Sequence, residues 1–193
     1  MDKGSVGKII DFPSAREFEQ WLAKNHAEST GIWLRFFKKN SGVLSVSYVE
    51  AVDAAICFGW IDGQLKKYDQ ESWLRKFTPR RPKSVWSKRN TAHAERLIKA
   101  GKMHAAGLQE VEAAKQDGRW KAAYDSASEM EIPADFVKEL AKNKRAKAFF
   151  ETLNRANVYA IVWRLQTAKK PETRQRRLAT ILAMLAKEQK FHD

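Results

Sequence analysis

Few side chains in this 193-residue sequence have both the type and the neighbours that chemistry asks for. Asp62, in FGWIDGQ, lies on a segment that suits an extended strand, between aromatic and basic residues. A carboxylate in such a setting can have its ionisation shifted by burial or by an arginine partner. With Trp60 and Tyr68 it outlines a candidate pocket for a small ligand or substrate, although an ion pair or a turn is the commoner use of such a residue. Cys57, in AAICFGW, shares a helix pattern with Val49, Val52 and Ile56, which predicts a buried small hydrophobe; a reactive thiol needs an exposed, electropositive setting. His26, His93, His104 and His192 are far from one another and from Cys57. No Cys/His pair has ligand spacing, so no metal site is expected. Nothing has the spacing of a hydrolase triad or a nucleotide-binding loop, so no cofactor is expected and a non-catalytic role is favoured.

Anion recognition has more to rest on. In FTPRRPKSVWSKRN, Pro79 and Pro82 stop a strand and hold Arg80, Arg81, Lys83, Lys88 and Arg89 beside a helix start that Ser84 or Ser87 can cap. Free amide groups and the positive end of the helix dipole suit that place to an anion before any side chain is counted. A second basic helix start, AKKPETRQRR, brings Arg174 and Arg177 as further candidates. Trp60, Tyr68, Trp73, Phe77 and Trp86 are interleaved with Arg75, Arg80 and Arg81, a mixture that serves base stacking and also serves the core of a small sheet.

The net charge of +13 is uneven. Residues 1–60 carry seven basic and seven acidic groups; residues 64–90 carry nine Lys or Arg against Asp69 and Glu71; residues 138–190 carry fourteen against four. Two basic blocks favour an anionic partner, whether protein, nucleic acid or membrane surface. The amino terminus MDKGSVGKIIDF lacks a signal-peptide pattern, and no window reaches the roughly 18 apolar residues of a membrane span. A cytoplasmic protein without a transmembrane segment is expected, and the single cysteine fits a reducing compartment.

The elements that would position these groups follow from local pattern. Lys8–Phe12 and Gly31–Lys39 read as strands. Ser14 with Glu17 and Ser47 with Glu50 form capping boxes for two helices, the second ended by Gly59. Trp60–Tyr68 and Trp73–Phe77 form a hairpin turned by Asp69-Gln70-Glu71. Then come two helices, one with Trp86, Asn90, Ala94, Leu97 and Ile98 at helical spacing and one with Leu108, Val111 and Ala114. Three more follow after Pro133, broken near Asn154 and restarted at Pro171. The fold class is α+β: a small mixed sheet with packed helices, followed by a C-terminal helical unit. Domains are expected at 1–120 and 133–193, with residues 121–132 as a linker.

The strings FGWIDGQ, FTPRRPKSVWSKRN and LIKAGKMHAAGLQEVEAAKQDGRW, with the tail IPADFVKELAKNKRAKAFFETL and AKKPETRQRRLATILAML, resemble the YdeI/OmpD-associated family, also called the bacteriocin-protection family, over almost the whole chain. The resemblance implies cytosolic bacterial proteins linked to envelope or bacteriocin tolerance. It carries over no reaction and no catalytic residues.

Overall fold

Ser14 and Ser47 start helices where their spacing predicts. A computed structural model describes residues 8–125 and 129–192. In it the Ser14 side chain accepts the amide of Glu17 ahead of α1 (Ala15–Asn25), and Ser47 and Glu50 complete a reciprocal capping box on α2 (Tyr48–Cys57). Gly59, at φ +74°, ends α2 in the left-handed region that favours glycine. The strands are β1 (Ile9–Asp11), β2 (Ile32–Phe37), β3 (Trp60–Lys67) and β4 (Ser72–Pro79), in the order β1-β2-β4-β3. β1 runs parallel to β2, and the other pairings are antiparallel. The near-continuous apolar run of β2 thus occupies an interior strand.

Residues paired across antiparallel strands share a face. One face therefore presents Ile32, Leu34 and Phe36 of β2 with Phe77, Arg75 and Trp73 of β4. Phe36 stacks on Trp73 at 4.5 Å, Phe77 meets Phe18 of α1 edge-on, and Tyr48 of α2 closes on Phe36. The other face presents Trp33, Arg35, Leu74 and Lys76. Lys66 and Lys76 hold their ammonium groups over the Trp33 ring, and their aliphatic stems give it cover. At the hairpin tip Asp69 accepts the amides of Glu71 and Ser72. Edge strand β3 carries an irregularity in register between Asp62 and Leu65.

Two further helices, α3 (Lys88–Lys99) and α4 (Ala105–Gln116), follow the hairpin. On α3, Asn90, Ala94 and Leu97 are buried as expected, whereas Ile98, expected on the same face, is exposed and Trp86 lies before the helix, buried. On α4 the buried stripe is Gly107, Val111 and Ala114, and Leu108 is exposed. The glycine sits in the stripe because α4 meets the end of α2 backbone to backbone: a Cβ at Gly107 would lie 2.6 Å from the Ile56 carbonyl oxygen and nearer still to that of Cys57.

The chain divides into two units. The first holds the described residues through Ser84 together with Asn90–Ala122; the second holds Val85–Arg89 and the described residues from Ala123. In the second, Tyr124 pairs in parallel with Ser87, and its ring meets Trp163 edge-on. The stretch 121–132, expected as a linker, therefore contains at least one residue engaged in backbone pairing. Ser126 and Ser128, which contributed to that expectation, lie outside the described residues.

The second unit contains α5 (Ala134–Leu140), α6 (Lys144–Glu151), α7 (Arg155–Gln166) and α8 (Pro171–Ala186). Asn143 and Asn154 cap α6 and α7, and Pro171 occupies the first turn of α8. Phe136, Leu140, Ile161, Leu165, Ile181 and Leu185 form the buried centre of the bundle. Asn157, almost fully buried, accepts the amides of Phe191 and His192 and donates to the His192 carbonyl, tying down the segment after α8. A mixed four-stranded sheet with helices followed by an all-helical unit is the architecture. Among the described residues no helix is long and apolar enough to cross a membrane.

Candidate functional site

Asp62 is committed to its neighbours. Its Oδ2 accepts the Tyr48 hydroxyl at 2.7 Å and both Nε and Nη2 of Arg75, at 3.0 and 2.5 Å. The pairing follows from register: Asp62 lies opposite Phe77, and Arg75 projects from the same face of β4. Burial alone would push the Arg75 guanidinium down, but the hydrogen bond and charge of Asp62 outweigh it and hold the group above its ordinary value. Trp60 is buried, with its indole N–H donating to the His26 carbonyl. Tyr68 is exposed beyond the other end of β3, under the Arg35 guanidinium. Neither cavity described below in this unit is lined by Trp60, Asp62 or Tyr68.

The basic loop separates into structural and presented groups. Arg80 is 6% exposed and its amide donates to the Gly59 carbonyl, so it belongs to the packing of the strand end. Arg81 and Lys83 are exposed. Ser84 closes the turn on Arg81, its Oγ accepting the Arg81 amide at 3.0 Å, and its own carbonyl accepts Arg119 Nη1. Lys83 stands at φ +67° inside that turn. Ser87 immediately precedes α3, whose first residues are Lys88 and Arg89. Lys88 is paired with Asp125 at 2.5 Å, both in the second unit.

Arg81 and Ser84 line a groove of about 320 Å³ together with Gln64, Lys76, Thr78 and the backbone of Gly63. Its lining contains two cations, hydroxyls and an amide, and no carboxylate. Lys66 lies on the same face of the sheet as Lys76, since both cover Trp33.

A larger cleft, about 610 Å³, opens elsewhere in the same unit. Asp53, Cys57 and Phe58 from α2 and its end line it, with Arg16 and Glu19 from α1 and Arg96, Lys102 and His104. Asp53 is held by the His93 ring at 2.5 Å and by Arg96 at 2.6 and 2.7 Å. The His104 ring stacks on Phe58 at 4.0 Å while its amide donates to the Cys57 carbonyl. Burial pushes the Cys57 thiol up to about 11, with Glu19 and Asp53 adding to the rise against Lys102 and Arg96. The thiol is thus a packed wall and not a poised nucleophile. Sequence reasoning treated the histidines as isolated and passed over Asp53. The available signal was a lone carboxylate inside the apolar helix AVDAAIC, which calls for a partner when one face is buried.

In the second unit the candidates at the second basic helix start have internal partners. Arg174 makes a two-pronged pair with Asp135, one bond being 2.9 Å. Arg177 Nη1 donates to the Arg164 carbonyl at 2.7 Å and to Thr167 Oγ1 at 3.3 Å, across the end of α7. Among the described residues, no three His, Cys, Asp or Glu side chains are grouped to hold a metal ion.

Two family models match the chain. Residues 10–110, more than half of its length, match a domain of unknown function (DUF8412), a region that contains both FGWIDGQ and FTPRRPKSVWSKRN. Residues 129–188 match the family described as bacteriocin-protection, YdeI or OmpD-associated, a region that takes in α5–α8. No curated protein and no solved structure matches the chain significantly.

Proposed function

The chain belongs to the DUF8412 family and carries a YdeI/OmpD-associated bacteriocin-protection domain at residues 129–188; from that premise we propose that it is a cytoplasmic, non-catalytic binding or adaptor protein that engages an anionic partner through the basic face of its N-terminal sheet. The observation that carries this reading is the groove of Lys76, Arg81, Ser84, Gln64 and Thr78, which offers cations and hydrogen-bond donors with no carboxylate among its lining residues. An anionic group entering it meets positive charge on a rigid strand and on a loop fixed by Pro79 and the Arg81–Ser84 turn. Lys66 and Lys83 extend the positive field beyond the groove.

Because Arg80 is buried, charge reversal there would test folding and not binding. The informative variant is Lys76→Glu/Arg81→Glu. Binding of the native protein to mixed-sequence RNA and DNA and to anionic vesicles is measured across a salt series. A nucleic-acid partner gives a linear fall of log affinity with log salt, and the slope drops by roughly one for each phosphate contact removed. Equal binding by native and variant proteins to every probe would remove this face as the functional surface.

A second reading is favoured by the cleft at Asp53. Its size lies within the roughly 300–1,000 Å³ of small-molecule sites, and it combines apolar walls with fixed polar groups. In that reading the chain binds a small ligand there, and Arg16→Ala and Lys102→Ala abolish a ligand-induced rise in melting temperature that Lys76→Glu/Arg81→Glu leaves intact.

A further inference from the structure

Arg164 and Arg177 are two guanidinium groups, both half-buried, for which no carboxylate partner exists among the described residues. Each is anchored by one edge only. Arg164 Nη1 donates to the Ala160 carbonyl at 2.9 Å, and its guanidinium carbon lies 3.9 Å from the centre of the Phe191 ring. Arg177 uses Nη1 for the Arg164 carbonyl and Thr167 Oγ1. On both residues the Nε and Nη2 donors have no protein acceptor among the described residues. The two charges are close enough to oppose each other: burial, and then the Arg177 charge, hold Arg164 below its ordinary value. Elsewhere in this unit half-buried Arg174 is matched by Asp135 and exposed Arg145 by Glu188. Arg164 and Arg177 differ from Arg174 in being half-buried without a carboxylate partner among the described residues. Six residues before Arg177, α8 starts at Pro171 with no side chain capping its first amides, and Lys169 and Lys170 ahead of it are exposed.

We propose that Arg164 and Arg177 form an anion site in the helical unit, selective for a phosphate-class dianion carried by a soluble ligand. Charge balance decides the class. Two guanidinium groups, each anchored through Nη1 with Nε and Nη2 to spare, match a doubly charged tetrahedral oxyanion, whereas a single carboxylate would neutralise one of them. The site lies in a different unit from the groove of the proposed function and stands or falls separately.

The test uses the full chain, with inorganic phosphate and pyrophosphate as probes against acetate at matched ionic strength. Phosphate addition should move the side-chain Nε–Hε NMR resonances of Arg164 and Arg177 saturably, and acetate should not. Arg164→Gln, folded by circular dichroism, should bind phosphate roughly tenfold more weakly or worse, as expected for loss of a charge-assisted hydrogen bond. Arg177→Lys, which keeps the charge but loses the fork, should weaken binding while preserving the fold. Unmoved arginine resonances in the native protein would overturn the proposal without recourse to any variant. Native affinity in both folded variants would also overturn it, as would binding of phosphatidic-acid vesicles with no response to soluble phosphate.

Discussion

Gly107→Ala separates packing from helix propensity because the two have opposite signs. In a helix, replacing Gly by Ala stabilises by up to about 1 kcal/mol. Here the added methyl would stand 2.6 Å from the Ile56 carbonyl oxygen and closer to that of Cys57. These are backbone atoms at the end of α2, and no rotamer change moves them aside. Overpacking of this kind costs roughly 1–3 kcal/mol, and immovable neighbours put the site at the upper end. The net expectation is destabilisation of about 2 kcal/mol, or a fall in melting temperature of roughly 4–8 °C for a chain of this size. Urea unfolding followed by tryptophan fluorescence measures it, with the slope unchanged if only the native contact is altered. The same shift of α4 carries His104 away from Phe58 and the Cys57 carbonyl, so Cys57 should label faster with thiol reagents than in the native protein. A variant as stable as the native chain, or more so, would refute the close approach of α4 to α2.

In the native protein Cys57 should react about a hundredfold more slowly than an ordinary thiol at pH 8, because its titration moves from 9.0 to about 11, and the rate should keep rising up to that pH; a plateau near pH 9 would contradict this. Asp62→Ala leaves Arg75 half-buried beside Tyr48 without its carboxylate, so a loss of about 2 kcal/mol is expected in denaturant unfolding, and Asp62→Ala combined with Arg75→Leu should recover part of it. The hydrogen bond from Arg174 holds Asp135 below its ordinary 3.8. A carboxylate depressed in the folded state adds stability above its unfolded value and loses it as pH falls through the folded one. Asp135→Asn should therefore lower stability at pH 7, and its deficit should shrink below about pH 4; a deficit that persists unchanged in acid would show that the pair contributes nothing through charge.

Local signals read well where a residue acts on its own neighbours. Ser14 and Ser47 start helices, Gly59 and Gly101 end them in the left-handed region, Asp69 folds the hairpin tip and Asn154 divides α6 from α7. Each depends on a few residues of chain, and periodicity then assigns the faces. What sequence could not supply is contact between distant positions. Asp53 and His93 are forty residues apart, and neither has a neighbour in sequence that foretells the other. Arg80 and Arg81 are indistinguishable by charge, yet one is packed against the strand end and the other lines the groove. On α4 the choice of Leu108 over Gly107 for the buried stripe came from hydrophobicity, whereas proximity to the α2 backbone selects for the smallest residue.

The second unit is not a contiguous stretch of chain: it takes in Val85–Arg89, with Trp86 almost fully buried and Ser87 paired to Tyr124. In hereditary terms the helical module is encoded in two places, with more than thirty codons of another module between them. A recombination joint placed at the apparent boundary near residue 122 would move α5–α8 into a new protein and leave Trp86 behind. The recipient would inherit the bundle without the segment that pairs with Tyr124, which selection would meet as poorer folding. The same division forecasts that a fragment starting at Ala123 unfolds at lower denaturant than the corresponding unit in the full chain, and that a peptide spanning residues 85–89 added in trans restores part of the difference.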